Sequence, residues 1–301
     1  MASRLSDGSV DPVIQRARLE LYRDNLAGAL DILASARLSS SDPAYGAEMA
    51  RIQSWLAPLR SQDTYAAAYE RYYQRVKRRS WLKALERRLR MLTGRKTRRL
   101  VERHALHPEF ARLEGQVRAS AARRVLDAGC GEGRSAITLA ARNPGVRVDG
   151  IEVSATNVAI ARSINRFPNG FFHQGLIEDA VGVFGPAQFD VAWAFSVLEH
   201  VWDLDATLKV LFEVLRPGGR LCISVPMNEL RAIGPLPEFD PDDEACHIRA
   251  FSEADLRERF ARFPGFTLEK LPGRWRPWRY PDTIAPVEFG AYFVVVPKSS
   301  S

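Results

Sequence analysis

The pattern of hydrophobic and polar positions changes character near Ala121. Before it, apolar residues recur every three or four positions over 13–33, 44–59 and 65–92, which is the spacing of one helix face. After it, short apolar runs alternate with helical stretches, which predicts a mostly parallel sheet with helices on both faces. The predicted strands are 124–128, 147–151, 170–174, 189–194, 220–225, 267–271 and 291–296. The last two are close enough in the chain to form an antiparallel pair at the edge of the sheet.

These patterns predict an N-terminal helical region over 1–64, a basic amphipathic helical segment over 65–120 and an α/β domain over 121–301. The apolar content of 46% and the charged content of 26% are ordinary for a folded soluble protein. No run approaches the roughly 18 apolar residues of a membrane span, and the first residues lack an apolar leader. The three cysteines are an odd number and show no metal-binding spacing, which fits a reducing compartment. We therefore expect a cytoplasmic protein.

A glycine-rich turn follows the first predicted strand, in the sequence RRVLDAGCGEGRS of residues 123–135. Gly129, Gly131 and Gly133 alternate with other residues, and helical periodicity resumes directly afterwards. Glycine reaches positive φ without strain and lets a ligand approach the backbone closely. In the dinucleotide fingerprint G-x-G-x-x-G the third glycine would fall at Arg134, so the spacing disfavours a dinucleotide. The turn is expected to present bare backbone to another small molecule.

Two further segments follow this turn in order: FDVAWAFSVLEHV at 189–201 and LRPGGR at 215–220. Together with Asp127 and the alternating glycines, they resemble the motifs of the class I S-adenosylmethionine-dependent methyltransferases of small-molecule type. The resemblance covers about 121–296. It implies a Rossmann-like, seven-stranded, mostly parallel sheet with an antiparallel edge strand, S-adenosyl-L-methionine as the cofactor, and methyl transfer as the activity.

The resemblance also implies which residues bind the cofactor. Glu152 ends the second predicted strand, where an acidic residue in the family accepts hydrogen bonds from both ribose hydroxyls. Phe195 and Ser196 are expected beside the sulfur atom. The residues assigned to the cofactor are Asp127, Gly129, Cys130, Gly131, Gly133, Glu152, Val153, Leu176, Ile177, Glu178, Phe195 and Ser196.

The adenine end of this site departs from the family pattern. Where the family has Gly-Asp after the third strand, this chain has Gly175 and Leu176, so the usual acceptor for the adenine amino group is missing. Three alternatives remain open. Glu178 or Asp179 replaces the missing carboxylate, or Ile177 supplies a backbone contact and an apolar face.

Transfer of a methyl group to an oxygen atom also requires a base, and an imidazole suits that task at neutral pH. The resemblance places His200 and His247 at the mouth of the acceptor site. For His200, a purely structural role in shaping its loop is weighed equally. The remaining histidines, His104, His107 and His173, are interpreted as structural or surface residues. The acidic stretch 238–244 lacks a sharp ligand spacing, and no metal is assigned to it.

The positive charge is concentrated in residues 71–103, which contain fourteen basic and two acidic residues, whereas the whole chain has a net charge of +7. The basic face either lies in solvent, contacts an anionic membrane surface, or binds a nucleic-acid backbone. The stripe of Trp81 and neighbouring leucines favours lipid over phosphate.

From these observations we expect O-methylation of a small molecule or glycan, free or lipid-linked, with peripheral membrane contact through 71–103. An RNA methyltransferase and a non-catalytic cofactor-binding or scaffold protein are the alternatives. The identity of the acceptor and the oligomeric state do not follow from the sequence.

Overall fold

A seven-stranded sheet forms the centre of the described structure. The computed structural model describes residues 62–78, 95–227, 251–272 and 290–299 continuously, together with 26–39 and single positions between 13 and 50. The strands are β1 (Arg124–Ala128), β2 (Arg147–Glu152), β3 (Gly170–Gln174), β4 (Phe189–Phe195), β5 (Leu215–Met227), β6 (Thr267–Pro272) and β7 (Gly290–Pro297). Their order is β3-β2-β1-β4-β5-β7-β6. Strand β7 runs antiparallel to both β5 and β6.

Helices lie between and before these strands. In the described residues they are α1 (Leu26–Ser39), α2 (Gln62–Arg78), α3 (Arg95–His104), α4 (Pro108–Ala119), α5 (Arg134–Arg142), α6 (Ala155–Ile164), α7 (Ala180–Phe184), α8 (Leu204–Val214) and α9 (Glu253–Phe260), with a 3₁₀ turn at Ile177–Asp179. Helix α9 begins with a capping box. Ser252 Oγ accepts from the Asp255 amide at 3.1 Å, and Asp255 Oδ2 accepts from the Ser252 amide at 2.8 Å. Among the helices in these ranges, none is both long and apolar enough to span a membrane.

The central parallel strands β1, β2 and β4 are buried on both faces, as parallel strands require. Along β1, Leu126 belongs to the cluster that includes Leu208 of α8, whereas Val125 belongs to the cluster that includes Phe110 of α4. Successive strand residues therefore enter opposite halves of the core. This two-sided burial explains why the strands read as continuous apolar runs in the sequence.

The predicted Rossmann-like sheet is confirmed. The observed strands match the predicted ones within about one residue, except that β5 begins earlier, at Leu215. The pairing of β4 with β5 jumps from Phe189–Leu215 to Val191–Arg220, so residues 216–219 form a bulge. Gly218 adopts φ +76° in this bulge. The predicted L-R-P-G-G turn is therefore real, but it lies inside the hydrogen-bonded strand.

The N-terminal predictions are only partly covered by the structure. Helix α2 begins at Gln62, and its described part ends at Arg78. The Trp81 stripe of the predicted amphipathic segment lies outside the described residues, and so does the acidic stretch 238–244.

The strand order creates one special point on the sheet edge. Strand β1 pairs with β2 on one side and with β4 on the other, and all three run parallel. Their carboxyl ends therefore meet at one edge, at the point where the chain reverses its direction of winding. Ligands of open α/β sheets bind at such switch points.

Candidate functional site

The glycine turn lies between β1 and α5, and its three glycines have different surroundings. Gly129, Gly131 and Gly133 all adopt positive φ, at +72°, +51° and +75°. A Cβ atom on Gly129 would lie 2.6 Å from Val197 Cγ2, and one on Gly133 would lie 2.7 Å from Phe172 Cε1. A Cβ atom on Gly131 would have no described protein atom within 4 Å. Gly129 and Gly133 thus serve the packing, while Gly131 faces space that a ligand can occupy.

Glu152 lies at the carboxyl end of β2 and is held by two backbone amides. Its Oε2 accepts from Gly131 N and its Oε1 from Ser154 N, both at 2.9 Å. The side chain is buried, with 5% of its surface exposed, and burial raises the pKa of Glu152. A carboxylate offers about four lone-pair sites, and the two amides together with the nearby Asn157 side chain leave one for a ligand. Glu152 is therefore fixed beside the open face of Gly131 with capacity left to accept a hydroxyl donor.

Asp127 and Cys130 lie beneath the turn. Burial raises the pKa of Asp127 to about 8, although the Ala136 amide hydrogen-bonds to it. Asp127 is therefore mainly protonated at neutral pH and can donate as well as accept. Burial, with added effects of Asp127 and Glu152, raises the pKa of the Cys130 thiol well above its ordinary value. Cys130 is consequently a packing residue without thiolate character.

At the adenine end, both alternative carboxylates already have protein partners. Asp179 Oδ2 accepts from Leu176 N at 3.0 Å, and Glu178 accepts from the Thr207 hydroxyl of α8. Ile177 is buried in the core, with 8% of its surface exposed. Val153 is half-buried next to Glu152. All three alternatives for the adenine end, at Glu178, Asp179 and Ile177, stay predictions.

The end of β4 carries an unusual backbone conformation. Ser196 is exposed and adopts φ +51°, a region that residues other than glycine rarely occupy. Its amide donates to Ser224 O at 2.9 Å. The adjacent Phe195 ring lies edge-on to Phe293, with ring centroids 5.9 Å apart. Strained backbone of this kind is frequent at functional sites and agrees with the predicted position of Ser196 beside the reacting atoms.

Of the two predicted catalytic histidines, the structure describes His200. It follows β4, its amide donates to Val197 O at 2.8 Å, and its ring lies edge-on to the Tyr69 ring, 5.9 Å between centroids. His247 lies outside the described residues.

Two histidines that were interpreted as structural contact other parts of the fold. His104 lies 2.9 Å from Ser135 Oγ, and burial, aided by His107 and Arg134, lowers its pKa to about 4. His173 lies 3.3 Å from the buried Asp149. In the described part of the chain, no group of three or more His, Cys, Asp or Glu side chains could hold a metal ion.

Three residues at this edge were not singled out from the sequence: Tyr69, Glu70 and Glu199. Tyr69 and Glu70 reach the site from α2, and nothing in the helical pattern distinguishes them from their neighbours. Glu199 is fully buried, and neither carboxylate oxygen has a hydrogen-bond partner in the described residues. Burial, with a further contribution from Glu109, raises the pKa of Glu199 to about 8. The sequence feature that could have identified Glu199 is its position directly before His200 in the L-E-H-V motif.

These features define a class of protein. The open backbone at Gly131 and the carboxylate of Glu152 beside it fit S-adenosylmethionine, which carries ribose hydroxyls. An α/β domain with this turn at its switch point is that of the class I S-adenosylmethionine-dependent methyltransferases. The family model described as methyltransferase domain matches residues 67–271, and the chain belongs to this family. The match begins well before the N-terminal limit of the motif resemblance near residue 121, and it includes most of α2.

Individual relatives resemble parts of the chain. Trans-aconitate 2-methyltransferase of Paracidovorax citrulli is 35% identical over 159 residues, which cover 50% of this chain and 60% of the relative. The 27-O-demethylrifamycin SV methyltransferase of Amycolatopsis mediterranei is 35% identical over 121 residues, covering 37% and 42%. The chain thus spans only about half the length of these relatives. The solved phosphoethanolamine N-methyltransferase 2 of Haemonchus contortus, in complex with S-adenosyl-L-methionine, has a TM-score of 0.47 at 17% identity, covering 59% and 49%.

Proposed function

We propose that the protein transfers the methyl group of S-adenosylmethionine to an oxygen atom of a small-molecule or glycan acceptor and releases S-adenosylhomocysteine. The observation that carries this proposal is the pairing of Glu152 with Gly131. The carboxylate is fixed by two backbone amides beside a glycine whose outer face is open. This arrangement suits a ligand with hydroxyl donors that approaches the backbone closely.

The cofactor supplies an activated methyl group on a sulfonium sulfur, so the main task of the protein is alignment. Correct alignment of two reactants contributes roughly 7 to 11 kcal/mol to catalysis. In this proposal Glu152 and the glycine turn fix one reactant. The proposal assigns the strained backbone at Ser196, after β4, to the end of the site where the acceptor approaches.

His200 is the proposed general base that takes the proton of the acceptor hydroxyl. It lies five residues after the end of β4, at the same sheet edge as the glycine turn. The names of some relatives support an oxygen acceptor, including the 27-O-demethylrifamycin methyltransferase. A base in this position contributes about a hundredfold or more to such a transfer.

The test is methyl transfer from labelled S-adenosylmethionine to a panel of hydroxy acids, phenols, polyketide alcohols and sugars. His200→Asn should lower kcat by at least about a hundredfold while the Kd for S-adenosylhomocysteine stays within about threefold. His107→Asn is the control, because His107 is exposed at the N-cap of α4 and asparagine is a good N-cap. An unchanged kcat in His200→Asn would contradict the role of this residue. Cofactor binding without transfer to any acceptor would favour the non-catalytic alternative.

A lipid-linked acceptor is a further part of the proposal, and it depends on the basic segment 71–103. Co-sedimentation with anionic vesicles tests it, using the full chain and a variant with Trp81→Glu and Leu85→Glu. Loss of sedimentation in the variant supports membrane contact. Equal sedimentation of both proteins contradicts it, and salt-sensitive binding of RNA instead would favour the RNA alternative.

A further inference from the structure

Helix α2 contacts the α/β domain on both sides of the glycine turn. Glu70 Oε1 accepts from Thr156 Oγ1 at 2.7 Å, and Thr156 lies in the first turn of α6, just after β2. The preceding residue, Tyr69, packs its ring against His200, just after β4. Strands β2 and β4 flank β1 in the sheet. Helix α2 therefore crosses the sheet edge at the point where β1 ends in the glycine turn.

Glu70 brings a second carboxylate to this edge. Its charge adds to burial in raising the pKa of Glu152, so the two carboxylates lie within electrostatic reach of each other. Burial would raise the pKa of Glu70, but the Ser154 and Thr156 hydroxyls and the Gln74 amide outweigh it and leave this pKa below its ordinary value. Glu70 therefore remains charged at neutral pH.

The two oxygens of Glu70 have different surroundings. Oε1 accepts from Thr156 and from Gln74 Nε2, the latter at 2.9 Å. Oε2 is buried and has no donor within ordinary hydrogen-bond distance among the described residues, although the Ser154 hydroxyl and the Thr156 backbone amide are close enough to lower the pKa of the carboxylate. A buried carboxylate oxygen without a donor costs free energy that a ligand can recover.

Two carboxylates at one cleft favour a ligand that brings hydroxyl donors and positive charge. S-adenosylmethionine has both, because it carries ribose hydroxyls and a net positive charge from its sulfonium and ammonium groups. S-adenosylhomocysteine has the same hydroxyls, but it has lost the sulfonium charge and is neutral overall. The charge on Glu70 therefore acts differently on substrate and product.

We propose that Glu70 is a cofactor-binding residue contributed by helix α2, and that its charge makes the site prefer the sulfonium cofactor over the neutral product. This inference rests on the proposed function for the identity of the cofactor. It makes α2 a wall of the active site. It also lowers the affinity of the site for the product relative to the cofactor once the methyl group has been transferred.

Calorimetric titration with S-adenosylmethionine and with S-adenosylhomocysteine tests the proposal in the full chain. Glu70→Gln keeps the shape and removes the charge. We expect it to weaken S-adenosylmethionine binding by about tenfold and S-adenosylhomocysteine binding by less than about threefold. Asp63→Asn is the control, because Asp63 is exposed in the first turn of the same helix. It should leave both affinities unchanged.

Equal effects of Glu70→Gln on the two ligands, or no effect on either, would overturn the proposal while the proposed function stands. Failure of the wild-type protein to bind either ligand would remove both. Hydrogen exchange of the wild-type protein provides a test that needs no variant. Saturation with S-adenosylmethionine should slow amide exchange in 62–78 more than saturation with S-adenosylhomocysteine, and equal exchange rates would overturn the proposal.

Discussion

Alanine substitution at two glycines of the same turn separates folding from ligand binding. Gly131 and Gly133 both adopt positive φ, so either alanine pays the strain of the left-handed region, about 1 to 2 kcal/mol. The two positions differ in what the new methyl group meets. At Gly133 it would lie 2.7 Å from Phe172 Cε1 and 3.0 Å from Ala161 Cβ, whereas at Gly131 no described atom lies within 4 Å.

The expected free energies follow from these contacts. Gly131→Ala should lower the free energy of unfolding by only the strain, about 1 to 2 kcal/mol. Gly133→Ala adds overpacking in a buried cluster, about 1 to 3 kcal/mol more. For cofactor binding we expect the larger loss in Gly131→Ala, the variant that is less destabilised. The methyl group at Gly131 enters the space assigned to the ligand, so this variant should lose S-adenosylhomocysteine affinity by at least about tenfold.

Denaturant unfolding and calorimetric titration of the same preparations measure both quantities. We expect Gly131→Ala to be more stable than Gly133→Ala and to bind S-adenosylhomocysteine at least about tenfold more weakly than wild type. It would be refuted by a folded Gly131→Ala protein with wild-type affinity, because the open face of Gly131 would then not be the ligand site. A Gly131→Ala protein less stable than Gly133→Ala would refute the packing argument.

Two further predictions concern buried carboxyl groups. The pKa of Glu199 is about 8 in the folded protein against 4.5 in the unfolded chain. Between these two pH values the folded state retains a proton that the unfolded state releases. Glu199 therefore lowers the free energy of unfolding as the pH rises from about 4.5 to 8. Glu199→Gln should remove about 1.4 kcal/mol per pH unit from the slope of unfolding free energy between pH 5.5 and 7.5, and an unchanged slope would contradict the buried state of Glu199. Asp149 is fully buried and paired with Arg124 and Arg147 at 2.9 Å, so Asp149→Asn should destabilise by about 2 to 4 kcal/mol in urea unfolding. Asp205→Asn, which breaks a surface pair, should cost less than about 1 kcal/mol, and equal losses in the two variants would refute the burial argument.

Much of the fold could be predicted because its signals are local. Each buried strand is a short apolar run, and Ser252 with Asp255 marks the start of α9 within four residues. Glu152 could also be predicted, because its position at the end of the strand after the glycine turn is fixed by the order of elements. The bulge in β5 was not apparent, since it depends on the register between β4 and β5.

The parts of the site that could not be predicted depend on contacts between distant residues. Glu70 reaches Thr156 across 86 positions of the chain, and its helix also contains Asp63 and four tyrosines, among which the helical pattern does not distinguish the site residues. The sequence left Glu178 and Asp179 as equal alternatives for the adenine end. Only the structure shows that Thr207 and the Leu176 amide already engage them.

The central claim is that Glu152 and the glycine turn bind S-adenosylmethionine, and calorimetric titration with S-adenosylhomocysteine tests it most directly. We predict that wild-type protein binds this product and that Glu152→Gln weakens binding by at least about a hundredfold, because the glutamine amide offers one neutral acceptor oxygen where the carboxylate offers two charged ones. Glu258→Gln, at an exposed position on α9, should bind like wild type. A folded wild-type protein that does not bind S-adenosylhomocysteine, or a Glu152→Gln variant with unchanged affinity, would contradict the account.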